Sequence, residues 1–356
     1  MNLKLLSHAE QVAVHLRSEI TGGRWRKVLP GVHNLSKTLG VNHNTIHAAL
    51  KLLEEEGMLA GQGRGRPRQI TLQQTAMRTR PLQVKILCYE FSDRRLPYGA
   101  DLLAKLQAAG FAADFAPKSL EDLGFNVKSV AHFVEKHPAD AWVVIAGTRE
   151  ILEWFADGPV PVLALFGRHT QLPIASSTPL KGPALVSAVR KLLDMGHRRI
   201  VMLARKERRK PYPGPLEQKF LDELKAHGQM VGKYNLPDWD EHPAGLRAAL
   251  DSLFRHTPPT ALIMPEPAVF VASELYFSLL GISVPEQVSL LCLDFDPMFT
   301  WFDPQVSHIQ WSLQPVLNRV VRWATHVANG KEDKRQTTFK AKFVEGGTIG
   351  PAPKSA

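Results

Sequence analysis

Asn42, His43, Asn44, Thr45 and His47 follow closely on a glycine and offer amide, imidazole and hydroxyl groups. Such groups read base edges when a helix presents its first turn to a DNA major groove. His33 and Lys37 stand one helical turn apart just upstream, placed to hold phosphates. Downstream, Arg64, Arg66 and Arg68 alternate with Gly63, Gly65 and Pro67. That spacing suits arginine insertion into a minor groove or along a phosphate strand. His43 and His47 also have a spacing used by metal ligands on a helix. No third ligand stands nearby and this region lacks cysteine, so DNA contact is the preferred reading and neither metal nor cofactor is expected. Glu54, Glu55 and Glu56 read as a solvated helix end.

The elements that must position these groups are legible from periodicity. Val12, Leu16 and Ile20 recur every fourth residue, with Ala9 and Ala13 beside them, predicting an amphipathic helix over 7–21 that ends at Gly22-Gly23. A turn at Leu29-Pro30-Gly31 precedes a short helix over 32–39, which Gly40 stops. Asn42 is a good N-cap for a third helix running to about Glu56, with Ile46, Ala49, Leu50 and Leu53 inward. MLAGQ and RQITL then read as short strands around a GRGRP turn. The stretch 71–83 is polar and aperiodic and reads as a linker. Beyond it, apolar strands alternate with helices, which implies parallel sheets covered on both faces.

Charge supports this division. Residues 1–83 carry 12 Lys/Arg against 5 Asp/Glu, while the remaining 273 carry 32 against 29. Most of the net charge of +10 therefore lies in under a quarter of the chain, the footprint of a nucleic-acid binder. A hydrophobic content of 44% suits a globular protein of two or three domains. Neither a signal peptide nor a membrane-spanning run is apparent, so a cytoplasmic protein with no membrane partner is expected. Cys88 and Cys292 both sit in apolar strand-like runs and read as reduced core thiols, with a disulfide between them as the other reading.

The string LPGVHNLSKTLGVNHNTIHAALKLLEEEGML, followed by GQGRGRP, resembles the GntR family of bacterial regulators over roughly residues 5–70. The resemblance implies a winged helix-turn-helix that binds double-stranded operator DNA. This chain departs from the family pattern by placing His33, His43 and His47 where arginine is usual, and Gly31 where serine is usual. Neutral imidazole is a weaker phosphate partner than guanidinium.

KGPALVSAVRKLLDMGHRRIVMLA, GISVPEQVSLLCLDFD and TTFKAKFVEGGTIG resemble, in that order, the effector domain of LacI-type regulators over about residues 84–350. That domain is similar to periplasmic sugar-binding proteins. The resemblance implies two Rossmann-like lobes, a ligand cleft between them and a homodimer. Asp294 falls where the family has an aspartate that contacts a sugar hydroxyl. Pro265-Glu266 replaces the family's Asn-Asp, and the usual arginine near the start of the helix at 215–227 has no clear match. Tyr89, Glu90 and Asp93 follow the first strand and could face the cleft, although Tyr89 could simply pack and Asp294 could cap a turn. Trp301, Phe302 and Trp311 could stack on a sugar or belong to the core.

The expected architecture is an N-terminal winged helix-turn-helix, mostly α with a small β-hairpin, over 1–70, then a linker over 71–83. An α/β periplasmic-binding-protein-like domain of two Rossmann-like lobes follows over 84–350. The expected function is a cytoplasmic transcription repressor controlled by a small-molecule effector, a sugar or sugar derivative. An α/β enzyme, or a regulator whose C-terminal domain serves only dimerisation or protein contacts, is the alternative. Against catalysis, no G-x-S-x-G, P-loop lysine motif or HExxH occurs.

Overall fold

The computed structural model describes residues 7–21, 25, 28–55, 58–61, 67–70 and 80–354. The chain divides into two compact units, Met1–Arg80 and Pro81–Ala356.

In the first unit, α1 (His8–Thr21), α2 (Val32–Leu39) and α3 (His43–Glu55) precede β1 (Leu59–Ala60) and β2 (Gln69–Ile70). Ser7 and Glu10 bond to each other's backbone N–H and close a capping box at the start of α1. Gly40 ends α2 at φ +66°, a conformation that favours glycine. Asn42 Oδ1 accepts from the Thr45 backbone N–H at 2.8 Å and starts α3. One core joins the elements, with Ala13, Leu16, Ile20, Leu35, Ile46, Leu50, Leu53 and Leu59 all buried. β1 and β2 pair antiparallel, and Val28 adds a bridge to Gln69. The expected helix stops at Gly22-Gly23 and Gly57, the turn 62–66 and most of the linker (71–79) lie outside the described residues.

The second unit alternates strands and helices. In order they are β3 (Gln83–Leu87), α4 (Pro97–Ala108), β4 (Ala112–Phe115), α5 (Val127–Lys136), β5 (Ala141–Ile145), α6 (Arg149–Asp157), β6 (Val162–Leu165) and β7 (Ala175–Leu180). Then come α7 (Gly182–Asp194), β8 (Ile200–Met202), α8 (Lys206–Arg209), α9 (Pro215–Ala226), α10 (Pro243–His256), β9 (Ala261–Met264) and α11 (Pro267–Leu279). β10 (Ser289–Cys292), β11 (Ser307–Trp311), α12 (Leu313–Ala328) and β12 (Gln336–Val344) complete the unit.

The strands form one sheet in the order β4-β3-β5-β6-β7-β12-β11-β10-β9-β8. Every neighbouring pair is parallel except β11–β12. β12 divides its pairing: Gln336–Lys340 run beside β7, and Ala341–Val344 run antiparallel to β11. It thereby joins two lobes. The strands of the first lobe are covered by α4 and α12 on one face and by α5 and α6 on the other. The strands of the second are covered by α7 and α9 on one face and by α10 and α11 on the other. The chain passes between lobes three times, from β7 to α7, from β11 to α12, and along β12. Apolar strands with helices on both faces form as the alternation predicts.

Cys88 and Cys292 are free and buried, and burial pushes the Cys88 thiol up to about 12. That agrees with the reading as core thiols. Among the described residues no helix is long and apolar enough to cross a membrane.

Candidate nucleic-acid interface and interlobe cleft

Burying Ile46, Ala49, Leu50 and Leu53 turns the opposite face of α3 outward. His43, Asn44 and His47 are exposed there, and Thr45 is half-buried. On α2, Leu35 faces inward while His33 and Lys37 are exposed. The His33 and His43 rings meet edge to face, with centroids 5.6 Å apart. The two helices thus present one continuous polar surface at the N-terminal end of α3. Asn42 spends its side-chain oxygen on capping, which leaves its amide NH2 as the group it can offer DNA. Arg68 pairs with Glu54 of α3 and so fixes the base of the hairpin. Glu54 is therefore a structural partner as well as part of a solvated helix end. Arg64 and Arg66 lie outside the described residues. Among the described residues no group of three or more His, Cys, Asp or Glu could hold a metal.

At the C-terminal ends of the parallel strands, loops from both lobes meet. Tyr89 and Glu90 follow β3 of the first lobe, and Arg205 and Glu207 follow β8 of the second. The Arg205 guanidinium donates to both oxygens of Glu266, at 2.8 and 2.9 Å. It reaches across to Glu90 at 3.4 Å and lies 3.5 Å from Glu241. Its carbon stands 5.4 Å from the centroid of the Tyr89 ring, a cation–π distance. The Tyr89 hydroxyl donates to Glu207. Burial alone would lower the Arg205 pKa, but Glu266 and then Glu90 outweigh it and push the value up. Burial and the Glu207 hydrogen bond push the Tyr89 phenol up, so it stays a donor. Burial also raises the Glu241 carboxyl above its usual range.

A second crossing stands beside this one. Arg168, after β6, donates to the backbone carbonyls of Arg208 at 2.9 Å and Tyr212 at 2.7 Å. Asp294 is held within its own lobe. Its oxygens accept from Lys181 Nζ at 2.8 Å, Trp311 Nε1 at 2.7 Å and the Phe295 backbone N–H at 3.2 Å.

The structure brings Tyr89, Glu90 and Glu266 together around Arg205. Asp93 is different: it is only 4% exposed and accepts from the Tyr98 hydroxyl and two backbone N–H groups. It shapes the loop after β3 and does not present its carboxylate to the cleft. Trp301 is not a core residue, since it is 89% exposed. Periodicity did not reveal Arg205, Glu207, Glu241 and Arg168 as cleft residues. The one available signal was the charged run RKERRK directly after a strand.

Residues 8–66 match the model of bacterial regulatory proteins of the gntR family. Residues 189–349 match that of the periplasmic binding protein-like domain. The solved complex of the transcriptional regulator CelR with cellobiose superposes with a TM-score of 0.63 at 14% identity, over 90% of this chain and 100% of that one. Transcription regulator CcpA of Lactococcus lactis gives 0.62 at 13% identity, over 76% of this chain and 100% of that one. A LacI family transcriptional regulator from Enterococcus faecium with bound ribose gives 0.59 at 13% identity, over 76% and 99%. No curated protein matches in sequence. The expectation of a GntR-type module ahead of a periplasmic-binding-protein-like domain is borne out, and the fold is the one that solved LacI-type regulators share.

Proposed function

We propose that this transcription regulator of the GntR/LacI type represses its target by binding a pseudo-palindromic operator as a homodimer, under control of a small polyhydroxy effector. The observation that carries the reading is the exposed polar surface of His33, Lys37, His43, Asn44 and His47 over a fully apolar inner face. The helix behind it is rigidly capped, as a groove-reading helix requires. Thr45, Asn42 and Arg68 frame that surface, and Arg64 and Arg66, which alternate with glycine and proline in sequence, are the further arginines we assign to DNA contact.

For the sensor, the support is that Tyr89, Glu90 and Glu266 meet around Arg205 where the two lobes face each other, with carboxylates able to accept from hydroxyls. Asp294, held by Lys181 and Trp311, is the further acceptor we assign to the effector. The CelR and Enterococcus faecium structures hold cellobiose and ribose. For the homodimer, the support is α11. Its sequence PAVFVASELYFSL carries one charged residue, Glu274, yet Leu275 and Leu279 are 59% and 74% exposed. A helix apolar on all sides with one uncovered face suits a self-complementary contact. A DNA-bound role places the protein in the cytoplasm, with 1–70 as the reading domain, 71–83 as linker and 84–350 as sensor.

The test is selection of duplexes by the full chain from a random pool. Titration of selected against scrambled duplexes at physiological salt then follows. A specific regulator should prefer its site by about a thousandfold or more. Equal affinity for both would overturn the reading. Sugars and sugar acids are then screened by thermal shift, where a true effector raises the midpoint by mass action.

A further inference from the structure

Four carboxylates converge on the cleft from both lobes: Glu90 from the first, and Glu207, Glu241 and Glu266 from the second. Three of them share a partner that the chain itself supplies. Arg205 donates through Nη2 to both oxygens of Glu266, reaches Glu90 and Glu241, and lies over the Tyr89 ring, while Glu207 accepts from the Tyr89 hydroxyl. A planar guanidinium set between carboxylates and an aromatic face makes charge-assisted hydrogen bonds and a cation–π contact at once. Glu266 and Glu241 belong to the lobe of Arg205, whereas Glu90 belongs to the other. The Glu90 contact therefore exists only when the two lobes are brought together.

We propose that Arg205 is a built-in ligand of the cleft: it holds the two lobes together through Glu90, and an effector acts by competing with it for that carboxylate. The inference rests on reading the cleft as the effector site. Tyr89 to Glu207, and Arg168 to the carbonyls of Arg208 and Tyr212, are the auxiliary crossings. Both depend on segment 205–212, which Arg205 anchors at its start through Glu266 and Glu241. Losing Arg205 removes the cation that stands between Glu90 and Glu266, so repulsion adds to the lost attraction, while Glu241 keeps Arg209 at 4.0 Å. The same crowding of carboxylates excludes anionic ligands and admits neutral polyols or cations.

The test measures lobe separation in the full chain without DNA or effector, so its outcome is independent of whether the protein binds an operator. Spin labels go on Lys118→Cys in the first lobe and Thr300→Cys in the second, since the native cysteines are buried. The otherwise unaltered protein should give one short distance. Arg205→Ala should give a longer, broader distribution, and millimolar methylguanidinium should restore the short one by filling the vacated position. Glu90→Gln, which leaves the second-lobe contacts of Arg205 intact, should also lengthen the distance. If Arg205→Ala and Glu90→Gln both keep the short distance, the proposal is overturned. If Arg205→Ala lengthens the distance without rescue by methylguanidinium, a general loss of folding is indicated and the proposal also fails.

Discussion

A guanidinium is a stronger phosphate partner than a neutral imidazole. Replacing His33, His43 and His47 together with arginine should therefore raise affinity for all duplexes several-fold and steepen its salt dependence, which isotherms at several salt concentrations check. Lys37→Ala should weaken all duplexes alike and reduce the salt slope by about one, as for one lost phosphate contact. In the second unit, His197 couples pH to stability. It is fully buried between Thr260, Ser289 and the Gly350 carbonyl, and burial lowers its pKa. The unfolded chain therefore takes up the proton first. Stability from this site is present above the unfolded value of about 6.5 and is lost as pH falls through it. A thermal midpoint that is flat above pH 7 and falls toward pH 5.5 is the expected outcome. The reading residues were legible because their neighbours in space are their neighbours in sequence. Arg205 was not, because what makes it special lies on three other loops, those of Glu90, Glu241 and Glu266.

At the scale of elements, β7 and β11 carry no run of apolar residues from which a buried strand could be read. β7 reads ASSTPL, polar and with a proline, yet Ser176 and Ser177 are completely buried. Ser177 Oγ satisfies itself on the Val316 carbonyl at 2.9 Å, so a tertiary bond replaces the apolar signal. β11 reads SHIQW, and Ser307 and His308 are likewise buried through bonds to Gly346 and Val306. Gly99 has a different reason for its identity. A Cβ there would stand 2.0 Å from the Asp93 carbonyl oxygen, so α4 packs directly on the loop that carries Tyr89 and Glu90. Gly99→Ala should cost about 1–3 kcal/mol in urea unfolding, because backbone must move. Asp333 ties the end of α12 to the start of β12 through Arg319, Arg335 and His326. Burial alone would raise its carboxyl, but hydrogen bonds from Arg335 and His326 hold it well below the usual range. Asp333→Asn should lose about 3 kcal/mol near neutrality, since it leaves the buried Arg319 short of its counter-charge. It should also remove part of the stability loss seen as pH falls through about 4.

At the scale of the molecule, the uneven charge already separated a DNA-reading head from an α/β body. The α11 surface makes the expected dimer testable without DNA. Leu275→Glu with Leu279→Glu should yield monomers in sedimentation and greatly weaken binding to a two-half-site duplex. Binding to a single half-site should change little. The threefold passage of the chain between lobes has a further consequence, for synthesis. The first lobe starts at β3, yet its core needs Val316, Val320 and Trp323 of α12. The second lobe needs Ala341 and Ile349, near the end of the chain. The core of the N-terminal unit is local, drawn from Ala13 to Leu59. A ribosome therefore releases a finished reading head long before either lobe can close. A chain stopped short by a nonsense codon near residue 310 would carry DNA affinity with no sensor to govern it.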